Sequence, residues 1–424
     1  MRFSMLGLAF FLAATTTPTF AQDGPHTARL TLVDAMRMAE SAHPTVRNRQ
    51  AQLAAAEGNR KEAEAFLFNN PELSLQQTRR QNEATDSGDT AWSLGVAQTL
   101  EMGGQQSKRR AAAAAGIASI NAEIDDARRQ VRADAATRFF AVLSAQHRVL
   151  LEQRSANLFG ESARAVAKRR AAGEDTRLDA NVAMVEAERA RNSLASASEA
   201  LLAARSELAT VVQLPPSALP EVDGDLAKYA DTLPYTLAQL LASAQAMPKQ
   251  RALLAREDVA RAKLGVEQAS RYPDLTVGLQ VGREGPNDAR ERLTTLSISL
   301  PMPLFKRNAA GIGQALSDVA HAEIERASLA RDTQARVRQL WSRLASQRDR
   351  VQRLQRLVVP ASADNQTLSL KSLQAGQIGL LDQLIVNRQA LDAERDLNDV
   401  LAEMHATQIE LETAAGWPME GNTQ

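Results

Sequence analysis

The chain has 424 residues, 50 basic and 50 acidic side chains, and no cysteine. Zero net charge leaves no basic excess for a nucleic-acid partner, and the missing thiols exclude a disulfide framework and thiolate metal centres. Hydrophobic residues make up 44% but aromatics only 4%. The apolar content is therefore mostly Ala, Leu and Val, which suits long close-packed helices better than one thick globular core.

Arg2, a short apolar run from Phe3 to Ala14, and Thr19-Phe20-Ala21 ahead of Gln22 follow one another at the start. That order is the pattern of a secretory signal, so residues 1–21 are expected to be cleaved. The run is well short of the roughly 20 apolar residues of a membrane anchor. No Cys stands at the cleavage site, so no lipid is expected there. After it no stretch is continuously apolar at spanning length, and no transmembrane helix is predicted.

A first repeat is assigned to 22–214. An amphipathic helical pattern opens at Leu30-Thr31-Leu32 and reaches Pro71-Glu72-Leu73-Ser74-Leu75. A β-hairpin is predicted over 72–100, with the polar stretch Gln81–Asp89 as its connector. From Gln105 to Ala172 the sequence is rich in Ala, Arg, Glu and Gln and free of Pro. An interior Pro breaks helices, so this stretch reads as one helix roughly 100 Å long, with a break expected near Phe159-Gly160. Residues 215–234, from Pro215 to Pro234, form a linker. A second repeat, 235–416, opens at Tyr235-Thr236-Leu237 and reaches Pro273-Asp274-Leu275-Thr276-Val277. It has a hairpin at 274–300 with the connector Arg283–Arg292, then another long helical pattern; 417–424 is a tail. Ala172-Gly173 and Ala375-Gly376 are each followed, after four residues, by Leu-Asp: Leu178-Asp179 and Leu381-Asp382. These are read as corresponding positions of the duplicated unit.

Four segments alternate with period two. Leu275, Val277, Leu279 and Val281 share one face, as do Leu296, Ile298 and Leu300, then Trp92, Leu94 and Val96, and in a shorter segment Leu73 and Leu75. Small polar residues occupy the other face. The same alternation suits a half-buried strand of a soluble sheet or a strand of a membrane barrel. Four strands cannot close a barrel, and open edges in lipid leave backbone groups unsatisfied. A membrane reading therefore requires protomers that share one barrel.

Over essentially the whole chain after the signal, the residues resemble the TolC family of outer-membrane efflux proteins. Gln98-Thr-Leu-Glu-Met-Gly-Gly104 with Arg109, Asn70-Pro71-Glu72-Leu73, and Pro301-Met-Pro-Leu-Phe-Lys-Arg-Asn308 resemble its cobalt–zinc–cadmium subgroup. The resemblance implies a mainly α fold with transmembrane β structure: duplicated long-helix hairpins forming an α-barrel, and four strands per protomer in a 12-stranded barrel. It also implies a homotrimer in the outer membrane of a Gram-negative bacterium, surrounded by lipid, with a long periplasmic extension. A periplasmic adaptor and an inner-membrane pump would complete the machine. By the same resemblance the two Ala-Gly motifs fall at helical-hairpin tips, near 173 and 376, at the periplasmic entrance, where Gly173 and Gly376 permit the turn. Asp179 and Asp382 start the returning helices, and Asp382 is expected to form an acidic ring or simply to start its helix. Ile385 stands where a second acid is common in the family. Lys168, Arg169 and Arg170 are read as solvated, or as adaptor contacts.

His26, His43, His147, His321 and His405 are scattered, and neither Gly103-Gly104 nor Gly311-Ile-Gly313 belongs to a complete phosphate-binding motif. No catalytic, cofactor or metal-ligand set is predicted. The reading is a passive duct for divalent heavy-metal cations. A multidrug or type I secretion channel, and an exported coiled-coil structural or adaptor protein, stand as alternatives.

Overall fold

The same capping chemistry opens both halves of the chain. Thr31 caps α1 (Leu32–Ala42) by accepting the Asp34 N–H, and Thr236 caps α5 (Leu237–Gln245) by accepting that of Gln239. Pro44 and Pro248 then occupy the first turns of α2 (Pro44–Glu64) and α6 (Pro248–Ala269), where a missing N–H costs nothing. Each second helix leads into a hairpin. These are β1 (Glu72–Asn82) with β2 (Ser87–Leu100), and β3 (Leu275–Glu284) with β4 (Glu291–Ser299). Long helices follow: α3 (Gln105–Ala171) and α4 (Arg177–Val211) in the first half. In the second half α7 (Ala309–Arg353) passes through a π-helical turn (Leu354–Val358) into α8 (Val359–Gln374), and α9 (Leu380–Ala415) returns. The computed structural model describes residues 29–82, 87–227, 233–285 and 289–418, without the side chains of 81–89. The expected signal 1–21, His26, the centres of both connectors, part of the linker and most of the tail lie outside them.

The helix α3 runs unbroken for 67 residues. The break expected at Phe159-Gly160 is absent. Phe159 is buried with Ala187, Ala190, Leu384 and Leu391, and this packing offsets the ~1 kcal/mol that Gly160 costs a helix. The second long helix has its irregularity at Pro360, the second residue of α8. Proline lacks an N–H and its ring crowds the carbonyl four residues back. The wider π-helical turn before it accommodates both.

Towards the sheet, the helices lie side by side in the order α2-α3-α6-α7. Towards the tips the order is α4-α3-α9-α8. Where the two meet, α1, α3, α5, α7, α9 and the end of α4 enclose the main core, with Phe139, Leu208, Leu340, Leu344, Met404 and Leu411 fully buried. Each such side chain contributes about 1.5–3 kcal/mol of transfer free energy. The linker joins this core through a short parallel bridge between Leu30 and Val222.

The four strands form one antiparallel sheet in the order β1-β2-β3-β4, so β1 and β4 are both edges. Both hairpins extend into the stretches expected to be connectors. Gln81 and Asn82 belong to β1, Ser87 to Asp89 to β2, Arg283 and Glu284 to β3, and Glu291 and Arg292 to β4. Polar side chains had marked these residues as loop, but a strand needs only a backbone partner, which each has.

Candidate membrane face and tunnel entrance

Strand register decides how the alternating residues combine. Leu73 and Leu75 pair with Val96 and Leu94, these pair with Leu279 and Val281, and Leu279 and Val277 pair with Leu296 and Ile298. The predicted apolar residues thus form one continuous face rather than four separate stripes. Leu73, Leu75, Leu296 and Ile298 are each more than two-thirds exposed. Among the described residues no helix covers them. The opposite face is polar and internally bonded. Gln280 Nε2 donates to Ser93 Oγ at 2.6 Å, Ser74 Oγ to the Gly95 carbonyl and Ser297 Oγ to the Gly278 carbonyl.

The apolar surface continues onto the segments joining sheet to helices. Phe66 is 89% exposed, Phe305 97%, and Tyr272, Met102, Met302 and Leu304 are also exposed. Just inside them the motif after β2 becomes a polar knot. Gln98 Nε2 donates to the Asn69 carbonyl at 2.8 Å. Glu101 pairs with Arg109, whose guanidinium lies 3.6 Å over the Phe68 ring. Gln105, buried, accepts the Gly103 N–H at 2.7 Å and donates to Asp274 at 3.0 Å. A Cβ on Gly103 would stand 2.7 Å from both the Ala269 carbonyl oxygen and Tyr272 Cβ, so only glycine lets these chains approach. Asn308 anchors the other junction through Glu267.

At the far end of the helices the two tips close with the same hydrogen bonds. Gly173 N–H bonds to the Arg170 carbonyl and Glu174 N–H to that of Arg169; Gly376 and Gln377 repeat this on Leu373 and Ser372. Both glycines are left-handed, at φ 83° and 67°, which completes a Schellman stop in each. The returning helices differ. Thr176 and Asp179 form a reciprocal capping box, in which Asp179 accepts the Thr176 hydroxyl at 2.6 Å and its N–H at 3.1 Å. The Thr176 hydroxyl first, then its N–H and the Arg169 charge, hold the Asp179 carboxyl below the usual range. Gly379 replaces that threonine and has no hydroxyl. Asp382 accepts only the Gly379 N–H, at 3.2 Å, and is exposed. Ile385, one turn on, is exposed as well.

Residues 237–417 match the family model described as outer membrane efflux protein. The match runs from the start of α5 to just past α9. The chain is 28% identical over 393 residues to the cobalt-zinc-cadmium resistance protein CzcC of Cupriavidus metallidurans, covering 91% of this chain and 90% of that protein. Among solved structures, the open MtrE outer membrane channel of Neisseria gonorrhoeae superposes with a TM-score of 0.76 at 20% identity, covering 93% of this chain and 90% of that one. CusC superposes at 0.77 with 15% identity, covering 97% and 100%. The fold is therefore that of the outer-membrane channels, mainly helical with four antiparallel strands.

Three features had no signal in the sequence reading. The exposure of Phe66, at the end of the first amphipathic pattern, and of Phe305, inside the Pro301–Asn308 motif, follows from no periodicity of the sequence. Apolar residues are exposed on both outer helices, Leu178, Met184, Val185 and, further from the tip, Leu202 on α4, and Leu368 and Leu370 on α8 with Leu357 in the π-helical turn before it; a three-dimensional neighbour order is needed to see them as edges. Arg388 of α9 pairs with Glu186 of α4, residues some 200 positions apart in the chain. Among the described residues no group of three His, Cys, Asp or Glu could hold a metal ion. His405, one of the scattered histidines, is buried against Phe140, rings 4.3 Å apart, with Nε2 at 2.9 Å from the Leu226 carbonyl.

Proposed function

We propose that this chain is one protomer of a homotrimeric outer-membrane duct through which divalent heavy-metal cations leave the cell. The observation that carries the reading is the continuous apolar face on a sheet with two open edges. In water such a face exposes hydrophobic surface, and in lipid such edges leave N–H and C=O groups unpaired. Other copies of the chain answer both, β4 of one protomer pairing with β1 of the next while the apolar face meets lipid. The exposed apolar residues of α4 and α8 continue the same seam between protomers down to the tips. Trp92, Leu94, Val96, Leu275, Val277, Leu279, Val281, Leu296, Ile298 and Leu300 then face lipid. The tips form the periplasmic entrance, where Asp382, freed of a threonine cap, repeats around the axis as a cation-attracting ring. An adaptor and an energised inner-membrane pump complete the assembly, and the exported chain carries no lipid. The metal substrate is supported by likeness to a cobalt-zinc-cadmium resistance protein.

The test is loss of the gene in its own cells. Sensitivity to zinc, cobalt or cadmium should rise more than sensitivity to detergents or dyes. The opposite ranking would favour a multidrug duct, and a water-soluble monomer after signal removal would overturn the channel.

A further inference from the structure

The apolar face of the sheet ends at a row of arginines. Arg283 of β3 pairs directly with Arg292 of β4 and with Trp92 of β2. By two-residue alternation Arg283 leaves the sheet on the side of Val281 and Leu279, and Arg292 on the side of Leu296 and Ile298. Arg79 of β1, paired with Thr90, shares that side with Leu73 and Leu75. All three lie at the hairpin end, remote from the helices. On the opposite face, near the same height, carboxylates of the chain itself are present: Arg80 pairs with Glu284, and Glu291 stands opposite Glu284. On the apolar face, among the described residues, Arg79, Arg283 and Arg292 form no ion pair with a carboxylate.

Like charges set directly opposite on antiparallel strands destabilise the pair. An arginine facing an arginine at the rim of an apolar surface therefore calls for an anion from outside the chain. We propose that Arg79, Arg283 and Arg292 form a site for the phosphate groups of lipid head groups in the membrane leaflet away from the helices. The inference rests on the outer-membrane reading above. Three observations identify the occupant. Arg283 follows Val281 directly on this face, and Arg79 and Arg292 lie one polar residue beyond the apolar rows, past Gln77 and Thr294. Trp92, whose ring combines an apolar body with an N–H, stands beside it as at a membrane–water interface. The planar guanidinium fork matches a phosphate with two parallel hydrogen bonds, which a water-exposed strand end would not otherwise require.

The test uses the full-length protein reconstituted in phosphatidylcholine vesicles with or without lipid A, which carries phosphate monoesters, and follows the thermal unfolding of the oligomer. The wild type should unfold at a higher temperature with lipid A. The double variant Arg283→Gln/Arg292→Gln should lose that increment, yet unfold no lower than wild type in phosphatidylcholine alone, because the like-charge pair is gone. Each arginine removed should raise the lipid A content needed for half the effect on the order of tenfold. Arg283→Lys, which keeps the charge but not the fork, should recover only part. Equal stabilisation of wild type and double variant by lipid A overturns the site. An increment reproduced by inorganic phosphate in phosphatidylcholine overturns the lipid as occupant. Failure of the wild type to float with either vesicle would instead overturn the outer-membrane reading itself.

Discussion

At the scale of single residues the two tip aspartates separate by their caps. Asp179 is fully engaged by Thr176, whereas Asp382 has one backbone partner and an open carboxylate. If Asp382 lines the entrance, Asp382→Ala should weaken block by multivalent cations in planar bilayers, while Asp179→Ala should only loosen its helix start. Equal block in wild type and Asp382→Ala would reduce Asp382 to a helix-starting acid. His405 offers a separate residue-level prediction. Burial outweighs its hydrogen bond to Leu226 and lowers its pKa below the ordinary value. The unfolded chain then binds more protons than the folded one, so stability is held above the ordinary histidine range and falls as pH drops through it. The loss is bounded by about 1.4 kcal/mol per pH unit for one group. Chemical unfolding midpoints measured from pH 8 to 5 should show it, and His405→Gln should flatten that dependence. An equal slope in both proteins would assign the acid sensitivity elsewhere.

The elements show how far sequence reasoning reached. The duplicated helix–hairpin–helix order, the period-two strands and both glycine tips were legible because each rests on local chemistry: a threonine cap, an alternation, a residue allowed at positive φ. The continuous α3 was not legible at Phe159-Gly160, because the contacts that hold it come from α4 and α9. The strand ends were lost among polar residues for a similar reason, their partners lying on the neighbouring strand. Of the candidate surface, the apolar strand residues were visible and the junction aromatics were not, since exposure is a property of the assembled chain. Chain reversals offer a quantitative check. Gln213 takes the left-handed conformation at φ 59° that Gly376 takes at 67°, and both close the same pair of hydrogen bonds, Gln213 to Thr210 and Leu214 to Ala209 in the first case. Gln213→Gly should therefore stabilise the protein and Gly376→Val destabilise it, each by about 1 kcal/mol. A denaturant series would read both; opposite signs would mean that side-chain contacts, rather than backbone strain, govern these turns.

For the whole molecule, the decisive issue is what meets the two sheet edges. Both hairpins lie in one sheet, β2 bonded to β3 across the two halves of the chain, so the duplication has already used its inner edges and left β1 and β4 open. A sheet of four strands reaches closure only by repetition, and a rotation that brings β4 of one copy to β1 of the next must return to the start to leave no edge. The absence of cysteine makes this directly testable. Cysteines placed on the polar face, Ser74→Cys or Gln76→Cys on β1 combined with Thr295→Cys or Ser297→Cys on β4, lie on opposite edges of one protomer. They reach disulfide distance, Cβ atoms about 4 Å apart, only across a junction between copies. At least one of the four combinations should give oxidised products in membranes that end at a covalent trimer on a denaturing gel and collapse to monomer on reduction. A ladder continuing past trimer would mean an open chain of copies, and monomer alone in all four combinations would leave the sheet edges without the partner that the duct requires.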